Sequence, residues 1–322
     1  MRAAQAVHIG RVECVDAPAP VRGNGDLLIR TDLASICGSD LHMVGYGWAV
    51  DRWPAPPGHP GHEAVGTVVE SASDNFREGD RVLTVPHIWR SMCFAQYQAV
   101  DEPHVLKLGE DAELSDVLMA QQLGTVIFAA KRLPSVKGKT CVVMGQGSAG
   151  LFWDFVLTRL GAERVIAIEP VSHRGALGRM YGATDTVLDA GDHATQAILD
   201  MTGGQGADLV VEAVGSTPTL SQAFHLVRDQ GQVVLFGLPE SAQPVPFDFS
   251  TFFKKRASAY TVLGAQDEPG LASFAEAVEW ITSGQIDVKP VVSHRMPVDE
   301  VAEAFRIASA REHGVVKVAL TF

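Results

Sequence analysis

The stretch 140–170, TCVVMGQGSAGLFWDFVLTRLGAERVIAIEP, leaves this chain few folds to choose from. Cys141 to Met144 is a short apolar run of the kind a parallel strand buried on both faces requires. Gly145, Gly147 and Gly150 follow at once with the spacing G-x-G-x-x-G. Apolar residues then recur at helical intervals from Ala149 to Leu160, and Gly161 closes that helix. Arg164 to Ile168 reads as a second apolar strand, with Glu169 just after it. Strand, glycine turn, helix, strand and acid, in that order, form the unit that binds a dinucleotide. The first glycine permits the tight turn, the second lets backbone approach a pyrophosphate, and the third lets helix and strand pack closely. The free N–H groups of the helix start favour the phosphates. Glu169 can accept ribose hydroxyls and would repel a 2′-phosphate, which points to NAD. Arg174 is able to hold that phosphate, so NADP stays open.

Strands and helices keep alternating after Glu169. Helical patterns cover 174–181, 193–202 and 219–227, and strands cover 186–188, 208–213, 232–236 and 259–263. Gly215 and Gly237, each following a strand, join the cofactor-binding candidates. The alternation predicts an α/β fold with a doubly wound parallel sheet. The first 108 residues differ: short alternating runs broken by Pro and Gly predict antiparallel strands. After residue 265 come two amphipathic helices, 271–282 and 298–310, and a closing strand, 315–321. The expected domains are 1–122, 123–265 and 266–322, the first and last belonging together.

Length and charge narrow the function. The 322 residues suffice for two domains, and 46% hydrophobic with 20% charged content argues for a globular chain. A formal net charge of −12 speaks against nucleic acid and anionic membranes as partners. No apolar run is long enough to span a bilayer, and the N-terminal residues lack the apolar region of a secretory signal. Cys14, Cys37, Cys93 and Cys141 are scattered without a framework, which predicts free thiols and a cytoplasmic location.

A polar cluster precedes the glycine turn: Ser35-Ile36-Cys37-Gly38-Ser39-Asp40-Leu41-His42, then Gly61-His62-Glu63. A thiolate and an imidazole suit Zn²⁺, and a catalytic zinc needs three protein ligands and an open position. By itself, such a pair is more commonly a buried free Cys and a hydrogen-bonded His. The Ser39 hydroxyl and His42 imidazole close by are what proton transfer from an alcohol requires.

Taken together, ICGSDLH, GHEAVGTVVE, REGDRV, VVMGQGSAG, ADLVVEAVG, GQVVLFGLP and GVVKVALTF resemble the zinc-dependent medium-chain dehydrogenase/reductases, the alcohol and polyol dehydrogenase group. The resemblance implies a β-rich GroES-like catalytic domain with the Rossmann domain inserted into it, and an active site in the cleft. By position it implies Cys37 and His62 as zinc ligands and Glu63 as the acid beside the metal. It also implies Ser39 as relay hydroxyl, Asp40 as supporting carboxylate, His42 at the outer end of the relay, and Lys317 near the cofactor pyrophosphate. Small-molecule alcohols or carbonyls are the implied substrates, and a homodimer or homotetramer the implied assembly.

Two departures stand out. The segment 82–97 holds only Cys93, so the four-cysteine structural zinc lobe is expected to be absent. Gln121 falls where the family has its third zinc ligand, and a neutral amide is a poor one. Either Glu63 completes the site, or the chain is a zinc-free ketone, enone or quinone reductase of the same fold. A dinucleotide-binding protein without catalysis is the remaining alternative. His59 reads as a loop residue, and Trp48, Trp53 and Trp89 as pocket or core. His87, His104 and His173 read as solvated surface, and His294 as structural.

Overall fold

The computed structural model describes residues 1–48, 50–241, 243–312 and 314–322. The chain forms two units, Met1–Thr125 with Gly264–Phe322, and Val126–Leu263.

The first unit opens with the antiparallel pair β1 (Arg2–His8) and β2 (Arg11–Asp16). β3 (Asp26–Ser35), α1 (Gly38–Tyr46), β4 (Ala64–Glu70), β5 (Arg81–Thr84), β6 (Tyr97–Asp101) and β7 (Val105–Lys107) follow. Two helices, α2 (Leu114–Val117) and α3 (Ala120–Ala130), lead on, and the boundary between the units falls inside α3. Alternating apolar residues put Leu27, Ile29, Val68 and Val82 into one dry layer.

The second unit is β8 (Thr140–Met144), α4 (Ser148–Arg159), β9 (Arg164–Ile168), α5 (Ser172–Met180), β10 (Asp185–Val187) and α6 (Gly191–Met201). It continues with β11 (Ala207–Glu212), α7 (Thr217–Leu226), β12 (Val227–Leu235), α8 (Phe249–Lys255) and β13 (Ser258–Thr261). Its strands are parallel, in the order β10-β9-β8-β11-β12-β13. This is the doubly wound order with the reversal between β8 and β11, where such sheets bind ligands beyond the carboxyl ends of their strands. Val142, Ile166, Val210 and Val233 fill the sheet core at 0% exposure, as their continuous apolar runs require.

The chain then returns to the first unit with α9 (Ala272–Thr282), β14 (Val292–Pro297), α10 (Val301–Ala310) and β15 (Lys317–Thr321). The larger sheet there runs β14-β15-β3-β4-β5-β7, with β6 also on β3. The pattern-based reading assigned no structure to α1, α8 or β14. α1 and α8 are short helices set by their caps: Asp40 accepts from the N-cap Cys37 N–H, and the N-cap Asp248 accepts from Thr251 N–H. β14 alternates half-buried and exposed positions and carries Ser293, His294 and Arg295, so it lacks an apolar signature.

Candidate active site

Sheet register assembles one corner of the first unit from three distant segments. β3 pairs with β4 so that Ala34 faces Ala64, and with β15 so that Ser35 faces Ala319. Just past these pairs, Ser35 N–H donates to Glu63 O at 2.9 Å and Ile36 N–H to Val318 O at 2.9 Å. Cys37, Glu63 and Lys317 therefore meet beyond one end of the sheet. Cys37 is also the N-cap of α1, so the helix start fixes its direction.

Asp40 ties the corner together. It is fully buried; Oδ2 accepts the Cys37 N–H at 2.8 Å, and Oδ1 lies 3.0 Å from His62 Nδ1. One carboxylate thus caps the helix carrying Cys37 and aims the His62 ring, as outer partners of metal-binding histidines do. His62 Nε2 lies 3.3 Å from Ser39 Oγ. Burial opposes charge on His62, but Asp40, followed by Cys37, holds its pKa well above the ordinary value. Burial likewise opposes charge on Glu63, yet Lys317, His62 and Ser35 hold its carboxyl below the usual range. Lys317 is raised: burial is outweighed by Glu63 and Cys37.

Glu63 Oε2 takes the Lys317 ammonium at 2.7 Å and the Ser35 hydroxyl, while Oε1 is buried without a hydrogen-bond partner among the described residues. Ligand atoms of Cys37, His62 and Glu63 lie within 4.8 Å of one another. An ionised carboxylate with an unused buried oxygen, beside a thiol and an imidazole, fits a zinc ion and leaves a fourth position open.

Several positions differ from the sequence-based expectation. Lys317 was expected at a pyrophosphate, but its ammonium sits in a buried ion pair with Glu63, both side chains 1% exposed. Beside Gln121, it is Gln122 that meets the site: its Nε2 lies 3.6 Å from Cys37 Sγ and its Oε1 3.2 Å from Lys317 Nζ. No spacing rule marks that residue. His42 lies further along α1, its ring 5.7 Å from that of Tyr46. His59 is buried against Ser91 O at 3.1 Å. Trp53 packs on the core, while Trp48 and Trp89 stack at 5.1 Å. His87 and His104 are not simply solvated: their rings meet at 4.8 Å, because Val85 N–H bonds His104 O and draws the two segments together. His173 is half-buried and His294 half-buried in β14.

In the second unit, Gly145, Glu169, Gly215 and Gly237 all lie beyond the carboxyl ends of their strands. Gly145 has φ 86°, in the region that favours glycine, and a Cβ on Gly150 would stand 1.8 Å from Gly145 O. A Cβ on Gly147 would meet nothing within 4 Å, so there is room beside that backbone. Glu169 is 2% exposed, with Oε2 accepting from Gln146 N–H at 2.8 Å and Oε1 from Val171 N–H at 3.0 Å. Each oxygen keeps a further lone pair for a hydroxyl. Glu212, not singled out from sequence, accepts from Val214 and Gly215 N–H, both at 2.9 Å, and shapes the neighbouring turn. Arg174 is 7% exposed on α5.

A doubly wound sheet with this turn, and a thiol–imidazole–carboxylate corner in a β-rich unit, define a nicotinamide-dependent oxidoreductase of the metal-assisted kind. Comparison with known proteins agrees. The family model for the alcohol dehydrogenase GroES-like domain matches residues 23–127, and that for zinc-binding dehydrogenase matches residues 150–283. The chain is 26% identical over 328 residues to the L-threonine 3-dehydrogenase of Bacillus velezensis, covering 94% of this chain and 93% of that protein. Among solved structures, alcohol dehydrogenase TADH from Thermus sp. ATN1 superposes with TM-score 0.81 at 25% identity, covering 100% and 99% of the two chains. The zinc-dependent alcohol dehydrogenase 2 from Streptococcus pneumonia shares the fold, with TM-score 0.85 at 22% identity and coverage of 100% and 98%. The chain belongs to the zinc-dependent medium-chain dehydrogenase/reductase family, and it is an oxidoreductase that moves a hydride between a nicotinamide cofactor and an alcohol or its carbonyl.

Proposed function

We propose that the chain is an NAD-dependent dehydrogenase of a small alcohol or polyol, working with one zinc held by Cys37, His62 and Glu63. The observation that carries this reading is Glu63 Oε1, buried and unbonded among the described residues, beside the other two ligands. Cys37, His62 and Glu63 would hold a zinc ion whose chemistry there would be to polarise the substrate oxygen, and a nicotinamide bound at the glycine turn would exchange the hydride. Ser39 Oγ would take the hydroxyl proton and pass it, through the cofactor ribose and His42, to solvent; Ser39 Oγ stands 3.3 Å from His62 Nε2, beside the proposed ligands. Asp40 keeps Cys37 and His62 oriented, and Lys317 keeps Glu63 charged. Gly145, Gly147, Gly150 and the start of α4 receive the pyrophosphate. Gly215 and Gly237 border the same end of the sheet, and Glu169 accepts from ribose. Arg174 is the residue an NADP-dependent outcome would implicate.

We infer a cytoplasmic homo-oligomer. The edge strand β13 is exposed along its whole length, and Leu263 beside it is 59% exposed, which supports pairing of two copies there. Among the described residues no helix is long and apolar enough to cross a membrane.

The test is a panel of secondary alcohols, polyols and β-hydroxy amino acids with NAD and with NADP, using protein purified without chelator. The expected result is turnover together with zinc that the Cys37→Ser variant loses, along with its activity. Full turnover in metal-stripped protein would instead favour the zinc-free reductase that Gln121 suggests.

A further inference from the structure

A second set of metal-ligating side chains lies in the first unit, apart from Cys37, His62 and Glu63. His87 follows β5, His104 ends the short turn between β6 and β7, and Asp267 ends the turn 265–267. Ligand atoms of the three lie within 4.8 Å of one another. His87 Nε2 is 3.2 Å from Asp267 Oδ1, and the two imidazole rings stand 4.8 Å apart at 65°. Each ring also has a polar neighbour at its other nitrogen. His104 Nδ1 lies 3.0 Å from Asp101 Oδ2, and His87 Nδ1 lies 2.9 Å from the Gln266 side-chain amide.

We propose that His87, His104 and Asp267 form a second site for a borderline divalent cation, Zn²⁺ in the first instance, with water completing the coordination. Two imidazoles and a carboxylate are a zinc ligand set. Outer partners on Nδ1 fix the tautomer and direct Nε2 at the ion, an arrangement typical of built metal sites. Asp101 Oδ2, 3.0 Å from Nδ1, is the group placed to do this for His104. At His87 Nδ1 the neighbour is the Gln266 side-chain amide nitrogen, 2.9 Å away, which holds the ring in place. The Asp267 side chain is 63% exposed and that of His87 30%, so an ion arrives from solvent without opening the fold. The His104 side chain is only 13% exposed and anchors the inner side. Bound there, the ion ties the segment after β5 to a turn 179 residues further along the chain, on the far side of the inserted second unit in sequence. It is a clamp on the β-rich unit and takes no part in hydride transfer.

The test titrates Zn²⁺ into wild-type protein and reads bound metal by equilibrium dialysis alongside melting temperature. A second equivalent is expected to bind after the first and to raise the melting temperature. In His87→Ala and His104→Ala that second equivalent should weaken at least tenfold, while turnover and the zinc-free melting temperature stay close to wild type. In Cys37→Ser one equivalent should remain, and adding His87→Ala should remove it. A wild-type chain that binds only the ion lost with Cys37 would overturn the proposal. So would a second ion undiminished in both histidine variants. Either failure leaves the assignment at Cys37 standing, because that assignment is read from the ion and turnover lost in Cys37→Ser.

Discussion

Each unit of this protein buries a carboxylate, and the two are treated in opposite ways. Glu63 in the first unit has a cation at 2.7 Å and is held below the usual carboxylate range against the pull of burial. Asp154 in α4 of the second unit is also fully buried, but neither of its oxygens has a hydrogen-bond partner among the described residues. Burial pushes it well above the usual range, and the neighbouring Gln146 amide offsets only part of that. The difference lies in the nearest opposite charge, present at Glu63 and absent at Asp154 among the described residues. Burial and Lys317 act in opposite directions on Glu63, and the cation prevails. At Asp154 burial prevails, because no such cation faces it. A perturbed acid therefore signals function only when the partner that perturbs it is itself part of a site.

The largest expected effect is at Ser39. Ser39→Ala should lower kcat by roughly 10²–10⁴, the range of a lost proton-transfer group, with cofactor affinity from fluorescence titration unchanged. Unaltered kcat would remove Ser39 from the relay. Lys317→Met tests the charged state of Glu63. Leaving one partner of a buried pair alone costs on the order of 3–5 kcal/mol, measurable by urea unfolding. A loss under about 1 kcal/mol would mean that Glu63 does not depend on Lys317.

In the second unit the effects come from backbone space. Gly150→Ala places a Cβ against Gly145 O and should cost about 1–3 kcal/mol, with weaker dinucleotide binding. Binding at wild-type strength would show that the turn can relax. Asp154→Asn is expected to have the smallest effect and the most informative pH profile. The folded pKa of Asp154 is raised, so its favourable contribution is complete below the unfolded value of about 3.9 and fades as pH rises towards the folded value. The variant should melt higher than wild type at neutral and alkaline pH, and the difference should shrink on acidification. A difference independent of pH would show that Asp154 does not titrate in this way.

The two regions were also unequally legible. Strand, turn, helix and acid in 140–170 are neighbours in sequence, so β8, α4 and β9 could be read from periodicity and three glycines. The Cys37–His62–Glu63 corner was visible only as residue types. Cys37 and His62 by themselves more commonly mark a buried thiol and a bonded imidazole. Gln122 gave no signal, because it reaches Cys37 through the packing of α3. His87 and His104 looked like isolated surface histidines, because the residues that make a constellation of them lie as far away as Gln266 and Asp267.

Order along the chain settled the parallel sheet, the glycine turn and the acid beyond β9, since each depends on residues within a few turns of one another. Folding in three dimensions settled which carboxylate has a cation beside it. Glu63 meets Lys317 only because β15 pairs with β3 at Ser35, a register in which the chain's last strand lies beside one of its first. Burial and the nearest opposite charge fix an acid's ionisation, and both are set by long-range pairing that no local pattern records.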